Sequence, residues 1–171
     1  MNKSIYNDGP EYAAYYFDLI ETDDLFLEFD KSKELTIGTF RQLTPELGNY
    51  SYAPNKWTIK DVIRHIINME RIFASRAFRF SRFDKTKLPG VEENDYASNV
   101  DMTDITLSDL QEEYKVVRKA TVFIFKNATP EMLDFRGTAN NQTYTARTCG
   151  FAMIGHNIHH CNVIRTKYLG F

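Results

Sequence analysis

The chain has 171 residues, enough for one sizeable hydrophobic core, and the expected organisation is a single domain over 1–171. Hydrophobic residues at 43% and aromatics at 14% suit a globular chain, and a net charge of −2 gives no general attraction to nucleic acid or anionic membrane. No apolar run approaches the roughly 20 residues that span a bilayer, so neither a membrane nor a nucleic acid is expected as a partner.

The N-terminal stretch MNKSIYNDGPEYAAYYF lacks the uninterrupted apolar core of a signal peptide. Asp8-Gly9-Pro10 is a turn signal, and Pro10 can open a short helix through Tyr12, Tyr16 and Ile20. Thr22-Asp23-Asp24 can cap a first long helix over residues 23–43, with Leu25, Phe29, Ile37 and Phe40 on its apolar stripe, before Thr44-Pro45 ends it. Gly48, Asn49, Pro54 and Asn55 mark 46–57 as a loop. Thr58 and Asp61 match a capping box. The helix behind it carries Ile59, Val62, Ile63, Ile66, Phe73 and Phe80 on one wide face and runs to about Phe83. His65 lies at or beside that buried face.

Residues 84–106 form a long crossover without clear periodicity, a length that is often functional. Thr106 with Asp109 caps a third long helix through Leu110, Tyr114, Val117 and Phe125 to about Ala128. Thr129-Pro130-Glu131 starts at most a single turn, and Gly137 to Thr145 reads as a polar connector. The last helix opens near Arg147 and contains Gly155, His156, Asn157, His159 and His160. No run shows clean β alternation. The pattern predicts an all-α four-helix bundle with a short N-terminal helix and long crossover loops.

His156 and His160 stand four apart on one helix, about 40° apart around its axis and roughly 6 Å along it. Two imidazoles so placed can converge on one metal ion. His65 can join them if its helix neighbours the last one. Three protein ligands leave a position open for water or substrate, and three neutral nitrogens suit Zn, Ni, Co or Fe. A zinc-protease reading fails, because Asn157 stands where the glutamate base belongs. His159 reads either as a group supporting the ligands or as an interface residue, the latter favoured slightly. Cys149 and Cys161 read as small buried hydrophobes; on one helix they are about 18 Å apart, too far for a disulfide, which points to a reducing cytoplasm. Arg64, Arg71, Arg76, Arg79 and Arg82 could form an anion patch, but such a row is more often a solvated helix face, and Glu70 and Asp84 partly neutralise it. Asp61 and Asn68 are candidates to orient the His65 ring, and Tyr144 and Arg147 to line the pocket mouth.

Three pieces occur in order: Lys56-Trp57-Thr58-Ile59-Lys60 running into His65, then Glu70-Arg71-Ile72-Phe73 with Arg76, then Gly155-His156 with His159-His160. Together they resemble the DinB-like (DinB/YfiT) superfamily, and Leu88-Pro89-Gly90 to Asn94-Asp95-Tyr96 looks like one of its branches. The resemblance implies an up-down-down-up bundle, a homodimer, and a divalent metal, nickel or zinc, held by His65, His156 and His160. It implies a small-molecule substrate and, for some branches, a low-molecular-weight thiol such as bacillithiol, mycothiol or glutathione as cosubstrate. The activity expected is a thiol-dependent transferase or a metal-dependent hydrolase. A non-catalytic metal- or ligand-binding scaffold is the alternative. Asn157 departs from the Gly-His-Glu pattern frequent among relatives.

Overall fold

A computed structural model describes residues 8–171, so the first seven residues of the stretch compared with a signal peptide lie outside the described residues. A 3-10 turn at Glu11–Ala13 leads into helix α1, Ala14–Asp18. Helix α2, Leu25–Phe40, starts where the Asp24 carboxylate accepts from the amides of Phe26 and Leu27. Helix α3, Ile59–Phe80, opens on the Thr58/Asp61 capping box, and α5, Leu107–Lys126, on the equivalent Thr106/Asp109 box. Short helices α4, Glu93–Ser98, and α6, Pro130–Asp134, interrupt the connections, and α7 spans Ala146–Val163. A π-type turn at Ile164–Leu169 finishes the last helix.

The predicted third helix ends two residues early, at Lys126, and the second ends at Phe80, because Phe83 adopts φ 60 and breaks the repeat. The polar connector is a correction. Residues Gly137–Ala139 (β1) and Gln142–Tyr144 (β2) pair antiparallel around Asn140-Asn141, both with positive φ, as a two-residue hairpin turn of the I′ kind requires. The crossover adds to it: Leu88 donates to Thr138 O and accepts from the amide of Asn140, so the connection is pinned to the hairpin.

Contacts between named residues set the helix directions. Along α3 and α5 the pairs Arg64–Glu113 and Glu70–Arg118 ascend together, so these two helices are parallel. Along α2 and α7, Leu25 approaches Gly150 and Thr36 bonds Cys161, again ascending. Across α3 and α7, Trp57 meets Tyr168 and His65 meets His156, so they are antiparallel. Phe40 packs on Tyr114 and Phe29 on Phe125, which makes α2 and α5 antiparallel as well. The bundle is therefore up-down-down-up, with α2 and α3 on a diagonal and each touching both α5 and α7.

Helix α7 packs against α1, α2, α3 and α6. Its residues from Cys149 through Asn157 are all buried, which suits a segment without a polar face. Gly155 makes this possible where α1 crosses: a Cβ there would collide with the backbone carbonyl of Tyr16. At the bundle centre Arg118, 1% exposed, donates in bidentate fashion to Glu70 at 2.7 and 2.8 Å and also reaches Phe29 O and Ser32 Oγ. One guanidinium thus ties α5 to α3 and α2. No helix of the described residues is long and apolar enough to cross a membrane.

Candidate metal centre

Antiparallel packing of α3 on α7 brings three of the four histidines face to face. His65 projects from the second turn of α3, and His156 and His160 from successive turns of α7. Ring centroids are 4.8 Å apart for His65–His156, 4.7 Å for His65–His160 and 4.4 Å for His156–His160. His65 Nε2 and His156 Nε2 are 2.9 Å apart, and one available nitrogen from each ring falls within 4.8 Å of the others. Bonds of about 2.0–2.1 Å to a tetrahedral ion would set such nitrogens roughly 3.3 Å apart, inside that spread.

Burial holds all three rings neutral. It lowers His65 to about 4 and His160 to about 2, and His156 well below its usual value, with the neighbouring imidazoles adding to each shift. The lone pairs a cation needs are therefore free at neutral pH. His160 Nδ1 is moreover buried without a hydrogen-bond partner among the described residues, so the cluster has bonding capacity left over. Residues and environment both fit a divalent ion of the borderline class.

Around the rings, Trp57 packs on His65 at 4.9 Å and Tyr16 of α1 lies edge-on to His156 at 5.6 Å. Glu93, at the start of α4 and exposed, places Oε2 3.7 Å from His65 Nε2. That separation satisfies the distance for an ion pair, yet the neutral His65 carries no charge to pair with. The carboxylate instead stands beside the point where the rings meet. Burial and Glu93 together raise the Tyr16 phenol.

The sequence pattern of the DinB superfamily matches residues 28–164, most of the chain and all three histidines. The chain belongs to the DinB superfamily. Among solved structures it is similar to YfiT from Bacillus subtilis, described as a probable metal-dependent hydrolase with an unusual four-helix bundle topology. The superposition has a TM-score of 0.71 at 13% identity and covers 89% of this chain and 91% of that one, which shows the shared fold. No curated protein matches the chain by sequence.

In this DinB-superfamily bundle several other predicted residues lie elsewhere than expected. The Asp61 carboxylate accepts from both the amide and the hydroxyl of Thr58, so it serves the helix cap and not the His65 ring. Asn68 makes no hydrogen bond to the ring among the described residues. Tyr144 is fully buried and its hydroxyl bonds that of Tyr12. Arg147 pairs with Asp134 at 2.6 Å, at a different depression. His159 is partly exposed and its Nδ1 meets the Tyr15 hydroxyl at 3.0 Å, so it packs α7 against α1. Both cysteines are free and buried, with burial raising Cys149 to about 12.

Asn157 points away from the rings. Its amide donates to Glu70 Oε2 at 3.2 Å and to the Tyr114 hydroxyl at 3.4 Å, joining α7 to the buried Arg118–Glu70 pair. A second carboxylate there would face Glu70 where both residues are fully buried, which accounts physically for the neutral amide. The arginine row also divides. Arg64 and Arg71 share Glu113, and Arg79 pairs with Asp84, but Glu70 neutralises Arg118 and not the row, and Arg76 is buried. Glu93 lies on the crossover, which has no periodicity to read, and comes near the rings only through tertiary packing; Arg76 stands in the helix-face row, and only packing against Phe73, Tyr144 and Pro89 O buries it.

Proposed function

We propose that the chain is a metal-dependent enzyme in which His65, His156 and His160 hold one divalent ion, zinc or nickel, and that it acts on a small molecule. The observation carrying this reading is the meeting of three neutral imidazoles, His65 and His156 buried and His160 partly so, beside an open pocket of about 200 Å³, which His156 lines. YfiT's description as a probable metal-dependent hydrolase supports it. When bound, the ion supplies a Lewis acid and lowers the pKa of a coordinated water. This chain's residues supply the rest. The three rings fix the ion, Trp57 and Tyr16 restrict water around them, and the Glu93 carboxylate is placed to accept a proton from a nucleophile at the centre. That arrangement favours hydrolysis.

Thiol transfer is the second reading, and it has its own observation. A separate pocket of about 310 Å³ is lined by Trp57, Val62, Tyr168 and His160. Two pockets that each reach a different ring of the cluster give two substrates separate approaches. The test is turnover of the zinc- or nickel-loaded protein on small esters and amides, and on a chloronitroarene with and without a low-molecular-weight thiol. Hydrolysis that falls on the order of 10²- to 10⁴-fold in Glu93→Gln, with metal content unchanged, supports the first reading. Thiol-dependent turnover indifferent to that change supports the second. Metal retention with neither turnover leaves a binding scaffold and refutes both.

A further inference from the structure

Arg76 is the buried arginine without an acid. It is 6% exposed, on the third turn of α3 beyond His65, and its side chain lies against the rings of Phe73 and Tyr144 at 5.6 and 5.5 Å. Among the described residues its one hydrogen bond runs from an Nη to Pro89 O at 3.4 Å, out of the five donors a guanidinium offers. It forms no ion pair among the described residues, and residues 1–7 contain no Asp or Glu. The contrast within the same bundle is Arg118, more deeply buried at 1% exposed and held by Glu70 through two of its nitrogens. No Arg76 nitrogen is among the sealed, unpartnered atoms of the described residues, so its unbonded N–H groups open onto a pocket, where a ligand can meet them.

The pocket that Arg76 faces is the one His156 lines. Asn140, held at φ 50 in the hairpin turn, adds an amide at its rim, while Met69, Phe73 and Val91 give it apolar walls. Its volume of about 200 Å³ suits a small molecule. We infer that Arg76 is an anion-binding residue of this pocket, and that the substrate is a small molecule whose carboxylate meets the guanidinium while its reacting end reaches the three-histidine centre. The planar fork of Arg76 matches a planar carboxylate in bidentate fashion. The Glu93 carboxylate, on the same pocket, discriminates against a dianion such as phosphate more than against a single negative charge. The inference rests on the metal-centre reading for where the reacting end goes, but the anion site stands on Arg76 alone.

Two titrations separate these parts. In the first, metal-loaded protein is titrated by calorimetry with succinic monohydroxamate, which offers a chelating head and a carboxylate tail, and with its carboxamide-tailed counterpart. The wild type binds the carboxylate tail roughly 10- to 100-fold more tightly, the range of a charge-assisted bidentate contact, and Arg76→Met abolishes the preference while keeping the carboxamide affinity. Arg76→Lys retains part of it. In the second, metal-free protein is titrated with monoanionic acetate and with phosphate: acetate binds the wild type more tightly than phosphate, and Arg76→Met loses it. Failure of the metal reading alone appears as no retained metal and weak hydroxamate binding, with the second titration unchanged. Equal affinity for the two tails in the wild type, a preference that survives in a folded Arg76→Met, or acetate binding indifferent to that change overturns the proposal.

Discussion

Asn157 and His156 are adjacent in sequence and serve opposite ends of the protein's chemistry. The first completes a buried polar brace with Glu70, Arg118 and Tyr114; the second faces the pocket. Removing one partner of a buried ion pair strands the other, so Arg118→Met is expected to cost about 3–5 kcal/mol in urea unfolding, whereas the double change Glu70→Met/Arg118→Met costs less. A single variant no less stable than the double would contradict that role. The histidines make a second prediction. In the metal-free protein His65 and His160 take up protons only near pH 4 and 2, against an ordinary 6.5. Below about pH 6.5 the unfolded chain therefore binds more protons than the folded one, and stability falls as pH drops from 6.5 toward 4. This window lies above that of the depressed carboxylates Asp84 and Glu113, which act only below their ordinary 3.8 and 4.5. Urea midpoints of metal-free protein at pH 7.5, 6 and 5 check it; a flat profile across that range would count against rings held neutral by the fold.

Helix α1 is short, and its place depends on α7 offering a bare backbone. Gly155→Ala puts a methyl where the Tyr16 carbonyl sits, one residue from His156, and is expected to lower stability by about 1–3 kcal/mol through overpacking. It would also lift Tyr16 from His156 and open the centre to water, so metal affinity should fall with it. Denaturant unfolding and a competitive metal titration read the two effects, and an alanine variant matching the wild type in both would show that α1 gives way freely. The caps of α3 and α5 were readable residue by residue, because Thr-x-x-Asp names the donors and acceptors itself. The hairpin was not. Its strands have three residues each and alternate too briefly for period 2 to show, and Asn140-Asn141 carries the signal only if both positive φ values are suspected. The crossover helix α4 is likewise held by what it touches: all of its residues are exposed or partly so, and no apolar stripe marks it.

For the whole molecule, the four-helix bundle was legible in the long apolar stripes, while the directions of its helices came from pairs far apart in sequence. Parallel neighbours α3 and α5 need a long return, which is why residues 81–106 exist as a crossover, and that return delivers Glu93 to the rings. The three histidines were legible as well, since His-x-x-x-His is a local pattern and His65 needed only neighbouring helices. The pocket around them was not, because Arg76 looked like one of a solvated row until packing buried it. Fold and centre are coupled through α3 and α7, so an ion bound at their contact stabilises the bundle by mass action, about 2.7 kcal/mol at a hundredfold excess over Kd.

The direct measurement is the stoichiometry and affinity of zinc and nickel for the dialysed protein, by elemental analysis and competitive titration, in the wild type and in His65→Ala, His156→Ala and His160→Ala. One ion per chain in the wild type, with affinity falling steeply in each folded variant, is the result expected of three imidazoles meeting at one point. A wild type that retains no ion, or variants that bind as tightly as it does, would contradict the account.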